Sequence, residues 1–420
     1  MAGDGIRKPL GGYFRIFQSY PFLLGIAFLS FLSTIALAVI IPTLPLYLKN
    51  EIGFHAGVIG FLFSVYATAE IIAKTPFGVL SDHWGKQPVI LLGLLLTSFV
   101  PLGFIYARSP VFFVLLEVLN GLGVAAFWPM LSALIAEQVK HEERATALTV
   151  LNMSYLVALG LGPAFGAYVN HFARSSVMAF EVAFFLLLAA VVFGVVFFAT
   201  ASFPENELKK ALRPELFETG RAEVGKRFSC FFEGFSGSYW VMLFISLFQQ
   251  FGLGLLSSTF ILYVNRQLGF HQGEIGTALL IPAVLVAIFA LPVGHLTDRI
   301  GKVQVIQLAY LLGGAALVVV PFLGELWELA VVVALLALAY VAGTPAWFAL
   351  TSVVVSPQRV GAAFAGISTM QSLGFIVGSP LGGLLYEHLH PASPFFASGS
   401  VLFLCLLLIA LFLSRRSPGR

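Results

Sequence analysis

The chain has 420 residues, of which 59% are hydrophobic and only 10% charged, with 42 phenylalanines and a formal net charge of +3. Soluble domains carry about 25% charged residues, so this composition cannot present a water-compatible surface around a core. With a near-neutral balance and neither a long basic run nor a basic-aromatic stripe, it also excludes nucleic-acid binding. The class is an all-α integral membrane protein whose surroundings are membrane lipids.

Apolar runs bounded by charge, proline or glycine fall at 18–48, 57–80, 88–107, 110–138, 146–169 and 177–202, then at 238–264, 272–296, 303–323, 327–355, 360–386 and 393–414. Each is long enough to cross a hydrocarbon layer of about 30 Å. The first run follows Arg7, Lys8 and Arg15 and contains Ala36-Leu37-Ala38, which resembles a signal-peptidase site. Its length far exceeds the roughly 7–15 residues of a signal-peptide apolar core, so it reads as an uncleaved first span. The one long polar stretch holds Lys209, Lys210, Arg213, Arg221, Lys226 and Arg227 and splits the spans six and six. The expected organisation is an N-terminal six-helix bundle over 1–203, a cytoplasmic linker over 204–236 and a C-terminal six-helix bundle over 237–420.

Basic residues decide the orientation. One set of connections holds all of them except Lys49, Arg108, Arg174 and Arg266 on the opposite side and Lys74 inside a span. The positive-inside rule then places both termini and the linker in the cytoplasm, as for a multi-pass protein of the cell inner membrane. Cys230 lies on the linker and Cys405 in the last span, so they form neither a disulfide framework nor a metal-ligand spacing. No metal and no cofactor are expected.

A repeat runs through the chain. GVLSDHWGK (78–86) matches GHLTDRIGK (294–302) at an offset of 216 residues, and LYLKNEIGFHAGVIG (46–60) matches LYVNRQLGFHQGEIG (262–276) at the same offset. Pro76 matches Pro292; later the register slips by one, with GLGPAFGA (160–167) facing VGSPLGG (377–383) and Pro163 facing Pro380. The two six-helix halves share ancestry and begin on the same side of the membrane.

These motifs resemble the major facilitator superfamily, and within it the twelve-helix drug:proton antiporter branch. GVLSDHWGKQP is similar to the family's loop motif after the second helix, PTLPLYL (42–48) to the branch's first-helix ending, and ALGLGPAFGA (158–167), with Gly162, Pro163 and Gly166, to the antiporter motif of the fifth helix. Two positions depart from the pattern. His83 and Lys86 stand where the loop motif usually has arginines, and Glu117 in LLEVLNGLGVAAFWP stands where the fourth helix usually carries a buried arginine associated with proton coupling. The resemblance implies a conformational gate in which Asp82 meets the start of the eleventh helix near Arg359 and holds the cytoplasmic side closed. Gly78 permits close approach, Gly85 a tight turn and Lys86 a carboxylate or phosphate contact, with Asp298 and Lys302 as the second copy.

No phosphate-cradling G-x-x-x-x-G-K-[ST] occurs, so energy must come from an ion gradient. Ionisable groups present in one half only are the candidates for coupling. Glu70 and Lys74 share a face of the second span at i and i+4, whereas their repeat counterparts Val286 and Ala290 are apolar. Glu117 has no basic residue on its own span, and with Asn120, Gly121, Val124 and Trp128 it forms a stripe expected to look into a central cavity. The rival reading pairs Glu117 with Lys74 across spans two and four. Burial in hydrocarbon favours the protonated form of a carboxylate without a cation, which would let Glu117, with Glu70, carry a proton. Asn152, Tyr155, Gln249, Gln250, Trp347 and Gln371 are further candidates for the cavity, although such groups equally serve as helix-to-helix hydrogen bonds.

The expectation is a secondary active transporter, working as a monomer, that exchanges protons for a small lipophilic or amphipathic substrate by rocking its two halves. The alternatives on the same fold are a lipid or glycolipid transporter and a small-metabolite symporter. No clustered nucleophile or His/Asp constellation points to an enzyme.

Overall fold

A computed structural model of the chain describes residues 16–140, 142–201, 236–284, 300–356 and 359–413. Within them twelve helical segments follow one another. The first six are α1 (Phe22–Asn50, interrupted by a turn at Ile41 and Pro42), α2 (Ala56–Trp84), α3 (Lys86–Tyr106), α4 (Pro110–Gln138), α5 (Arg144–Ala173) and α6 (Met178–Thr200). After the linker come α7 (Gly237–Arg266, with a turn at Ser258), α8 (272–284 as described), α9 (Lys302–Val319), α10 (Leu326–Val354), α11 (Val360–His388) and α12 (Ser393–Leu408). Ten helices among the described residues are long and apolar enough to cross a membrane. Short turns make neighbours antiparallel, so the α1–α2, α3–α4 and α5–α6 turns share one face of the molecule, called distal here. The α2–α3 and α4–α5 turns lie on the opposite, proximal face.

The repeat is visible in the backbone. Positive-φ glycines among the described residues are Gly53 and Gly269, in the distal turns, and Gly85 and Gly301, in the proximal ones. Each pair is 216 residues apart, and each closes a turn in a region that side chains rarely adopt. Tertiary contacts repeat as well. The Tyr47 hydroxyl donates to the Ile105 carbonyl at 3.4 Å and that of Tyr263 to Pro321 at 3.4 Å, again at matching positions. A Cβ on Gly166 would overlap the Val39 backbone of α1, and one on Gly382 the Leu255 backbone of α7. Here the structure sharpens the sequence reading. Gly162 and Gly166 of α5 match Gly378 and Gly382 of α11 at the offset of 216, and Pro380 lies one residue further along than Pro163.

The two six-helix bundles meet through α2 against α11 and α5 against α8. Gly60 presses on the Ser379 carbonyl and Gly383 on Ala56, so that no side chain fits between the helices, and Ser64 Oγ donates to the Ile376 carbonyl at 2.6 Å. On the other seam, Tyr168 and Thr277 hydroxyls share a hydrogen bond of 2.9 Å. All of these contacts lie towards the distal face. One apolar cluster there spans both bundles, joining Ile40, Tyr47, Phe113 and Phe180 to Leu256, Tyr263 and Phe395. Towards the proximal face the clusters separate: one holds residues of the first bundle only, and two hold residues of the second only.

The face of α2 that packs on α11 continues downwards through Thr75, Gly78 and Asp82. Thr75 and Asp82 are exposed, a Cβ on Gly78 would meet nothing within 4 Å, and Ala365 and Thr369 on the corresponding face of α11 are exposed. The helices therefore splay apart below Ser64. Among the described residues this state is closed at the distal face and open between α2 and α11 at the proximal one.

Candidate functional site

Polar side chains converge between α2, α4 and α5. Gly121 lets α4 approach the α2 backbone at Tyr66, Ala69 and Glu70 so closely that any side chain there would clash. Glu117, one turn away on the same face of α4, is thereby sealed against α2 and is 2% exposed. It does not line open space, contrary to the cavity-facing stripe expected for it. It forms no ion pair among the described residues, and its neighbour within hydrogen-bonding reach is the Asn120 amide. Lys74 instead bonds Glu70 on its own helix at 2.8 Å, and both are partly open, at 36% and 22% exposure. The cross-helix pairing of Glu117 with Lys74 is absent because i, i+4 geometry already satisfies the lysine.

Tyr66 completes the group. It lies one turn before Glu70 on α2, where its carbonyl meets Gly121 of α4. Sequence reasoning missed Tyr66; its position at i−4 from Glu70 was the available signal. Trp128 packs edge-on to Tyr155 at 4.8 Å between ring centroids, tying α4 to α5. Asn120 Oδ1 is buried without a hydrogen-bond partner.

The candidates of the second bundle divide differently. Trp347 is buried and donates from Nε1 to Ser246 Oγ at 3.2 Å, holding α10 to α7. Tyr310 donates its hydroxyl to Gln249 Oε1 at 2.9 Å, holding α9 to α7. Both are helix-to-helix bonds within one bundle; Trp347 is 3% exposed and so does not face a cavity as expected, while Gln249 is half-buried. Gln250 and Gln371 are half-buried and Asn152 is exposed.

In the gate motif, Lys86 Nζ donates to Asp82 at 3.0 Å and to Glu137 of α4 at 2.9 Å. The expected contact of Asp82 with the start of α11 is not made, because α2 and α11 have splayed apart at that end. Arg359 takes the N-cap position of α11 and Lys302 opens α9, while Asp298 falls outside the described residues. Gly162 and Gly166 press on Ala38 and Val39 of α1, inside one bundle, and Pro163 sits between them within α5. The seam to α8 is formed instead by the adjacent face carrying Gly160, Ala164 and Tyr168. Cys405 is buried with its thiol 3.8 Å from the Ile245 carbonyl, and Cys230 lies outside the described residues.

Comparison with known proteins agrees with this architecture. Residues 26–254 and 242–420 each match the Major Facilitator Superfamily. The chain is 26% identical over 381 residues to Multidrug resistance protein 2 of Bacillus subtilis (strain 168), covering 90% of this chain and 91% of that protein. It is also 26% identical over 367 residues to Multidrug resistance protein MdtG of Salmonella arizonae, covering 84% and 86%. The crystal structure of the nucleoside transporter NupG superposes with a TM-score of 0.72 at 15% identity, over 95% of this chain and all of that one. A bacterial homolog of the human lysosomal transporter Spinster, crystallised in an inward-facing, unoccupied conformation, gives 0.69 at 15% identity over 96% and 99%. The family match extends over both repeats, and both structures share this fold: the chain belongs to the Major Facilitator Superfamily of membrane transporters.

Proposed function

We propose that this transporter exports lipophilic or amphipathic small molecules in exchange for protons, as a monomer, by rocking the bundles 1–203 and 237–420 against each other with 204–236 as their cytoplasmic linker. The excess of basic residues on the proximal connections supports a cytoplasmic proximal face, so the state described is inward-open. The multidrug relatives support a drug-like substrate.

The observation that carries the coupling is Glu117, a carboxylate sealed at 2% exposure with an amide and no cation beside it. A charged carboxylate left unpaired in such a place is costly, and a proton removes most of that cost. Glu70, one helix away and paired with Lys74, is the relay to the open side. Distal opening would uncover α2 just above Tyr66, where protons enter from outside.

Proteoliposomes with an imposed pH gradient test this reading. The wild-type chain should accumulate a lipophilic cationic dye against its gradient, while a nucleoside, a dipeptide or a lysolipid should neither accumulate nor compete. Accumulation of the lysolipid instead would assign lipid transport, and accumulation of a polar metabolite along the proton gradient would assign symport.

A further inference from the structure

At the distal end of α5 a groove of about 640 Å³ opens towards the membrane, lined by Phe165, Tyr168, Val169, Phe172, Met178 and Val182. Ala173 completes its lip, and the next residue, Arg174, ends the helix at φ 51°, ψ 38°. It is the one positive-φ residue other than glycine among the described residues. Its N–H reaches the His171 carbonyl at 3.3 Å and that of Ser175 the Asn170 carbonyl at 3.1 Å. This closure normally uses glycine, because any side chain there is strained. A chain with 41 glycines that places arginine here retains the side chain against that strain.

The arginine has work available. Lys49 is bonded to Glu387, Arg108 to Tyr47 and the Ile105 and Ala107 carbonyls, and Arg266 to Asn50. Of the four distal basic residues, Arg174 alone has no bonding partner among the described residues. Glu181 lies on the face of α6 that carries Met178 and Val182, in the first turn, also without an ion pair among the described residues. Neither charge recurs in the second repeat, where positions 390 and 397 are histidine and alanine. An apolar trough whose lip residue Ala173 is followed by Arg174, and whose α6 wall carries Glu181 between Met178 and Val182, both charges without an ion pair among the described residues, matches a zwitterion attached to an alkyl chain.

We propose that this groove binds one acyl chain of an aminophospholipid, with the phosphate on Arg174 and the primary ammonium on Glu181. The site is independent of what the transporter carries.

Native mass spectrometry of the full chain in detergent, titrated separately with phosphatidylethanolamine, phosphatidylcholine and phosphatidylglycerol, tests it. One phosphatidylethanolamine should be retained roughly five- to tenfold more tightly than either other lipid, the scale of a charge-assisted contact. The quaternary ammonium of phosphatidylcholine cannot donate to Glu181, and phosphatidylglycerol carries no ammonium. Arg174→Gly and Glu181→Gln should each bring phosphatidylethanolamine down to the level of phosphatidylcholine, and Val169→Trp should fill the groove and remove the selective adduct. Arg174→Gly relieves the backbone strain, so its melting temperature should not fall. Equal retention of the three lipids, a preference for either of the others, or an undiminished phosphatidylethanolamine preference in a well-folded Arg174→Gly protein would overturn the proposal.

Discussion

Asn50 and Arg266 occupy the same place in the two repeats, 216 residues apart, and they bond to each other: Arg266 Nε and Nη2 both donate to Asn50 Oδ1, at 3.1 and 2.7 Å. Two equivalent residues can meet only where the pseudo-two-fold axis passes, so the axis emerges between the distal ends of α1 and α7. The bond itself is exposed and marks the axis more than it secures it. The securing contacts are the seams that flank it.

The α2–α11 seam carries a charged clasp that is not repeated among the described residues of α5–α8. Glu387 of α11 accepts from Lys49 and, at 2.8 Å, from the Ala56 N–H at the start of α2, with His55 Nδ1 3.7 Å away. A charge-assisted bond contributes on the order of 1.5–3 kcal/mol, so Glu387→Gln should shift the population towards distal opening by about tenfold or more. In purified protein with Cys230→Ser, a cysteine at Ser64 should then react with a bulky maleimide correspondingly faster than without the Gln substitution.

Close approach makes a second, steric prediction with opposite signs at two glycines of one helix. Gly60→Ala places a methyl group on the Ser379 carbonyl and should prevent distal closure, giving fast labelling of the same reporter at Ser64. Gly78→Ala meets no atom in this state and should raise the melting temperature slightly, since alanine is favoured over glycine in a helix by about 1 kcal/mol.

Trp347→Phe separates architecture from substrate contact. It removes the bond to Ser246 and leaves that buried hydroxyl unpaired, which should cost about 1 kcal/mol of stability. Substrate Kd should be unchanged within twofold, as measured by binding to the purified variant; a large loss of affinity would return Trp347 to the cavity.

Much of this was legible in the sequence because membrane helices and repeats are strongly patterned. The twelve apolar runs and the offset of 216 needed little beyond composition and spacing, while the meeting of α2 with α11 came only as what the family resemblance implied. The seam residues themselves were not legible: Gly60, Ser64 and Gly383 carry no chemistry, and only the approach of two backbones gives them a role. Likewise Trp347 has the chemistry of a cavity residue, yet its bond to Ser246 on a neighbouring helix turns it inward. Asp82 was read for a closed proximal face, and in the state described it pairs with Lys86 on its own side instead. Glu117 stood out by chemistry, whereas its sealing against α2 depends on Gly121, one turn away.

The Glu70–Lys74 pair answers to a double-mutant cycle. Glu70→Gln leaves an unpaired ammonium within the membrane and should lower stability by about 1 kcal/mol or more. Glu70→Gln with Lys74→Met should recover most of that loss, as read from thermal melts. Recovery of stability without recovery of pH-driven transport would separate the structural part of Glu70 from its part in the relay.

The most direct test of the coupling follows protons and substrate together. In proteoliposomes with an imposed substrate gradient and an internal pH-sensitive dye, the wild-type chain should move protons opposite to substrate. Glu117→Gln should carry substrate down its gradient at a comparable rate and move no protons. A Glu117→Gln protein that still moves protons in step with substrate would contradict the account.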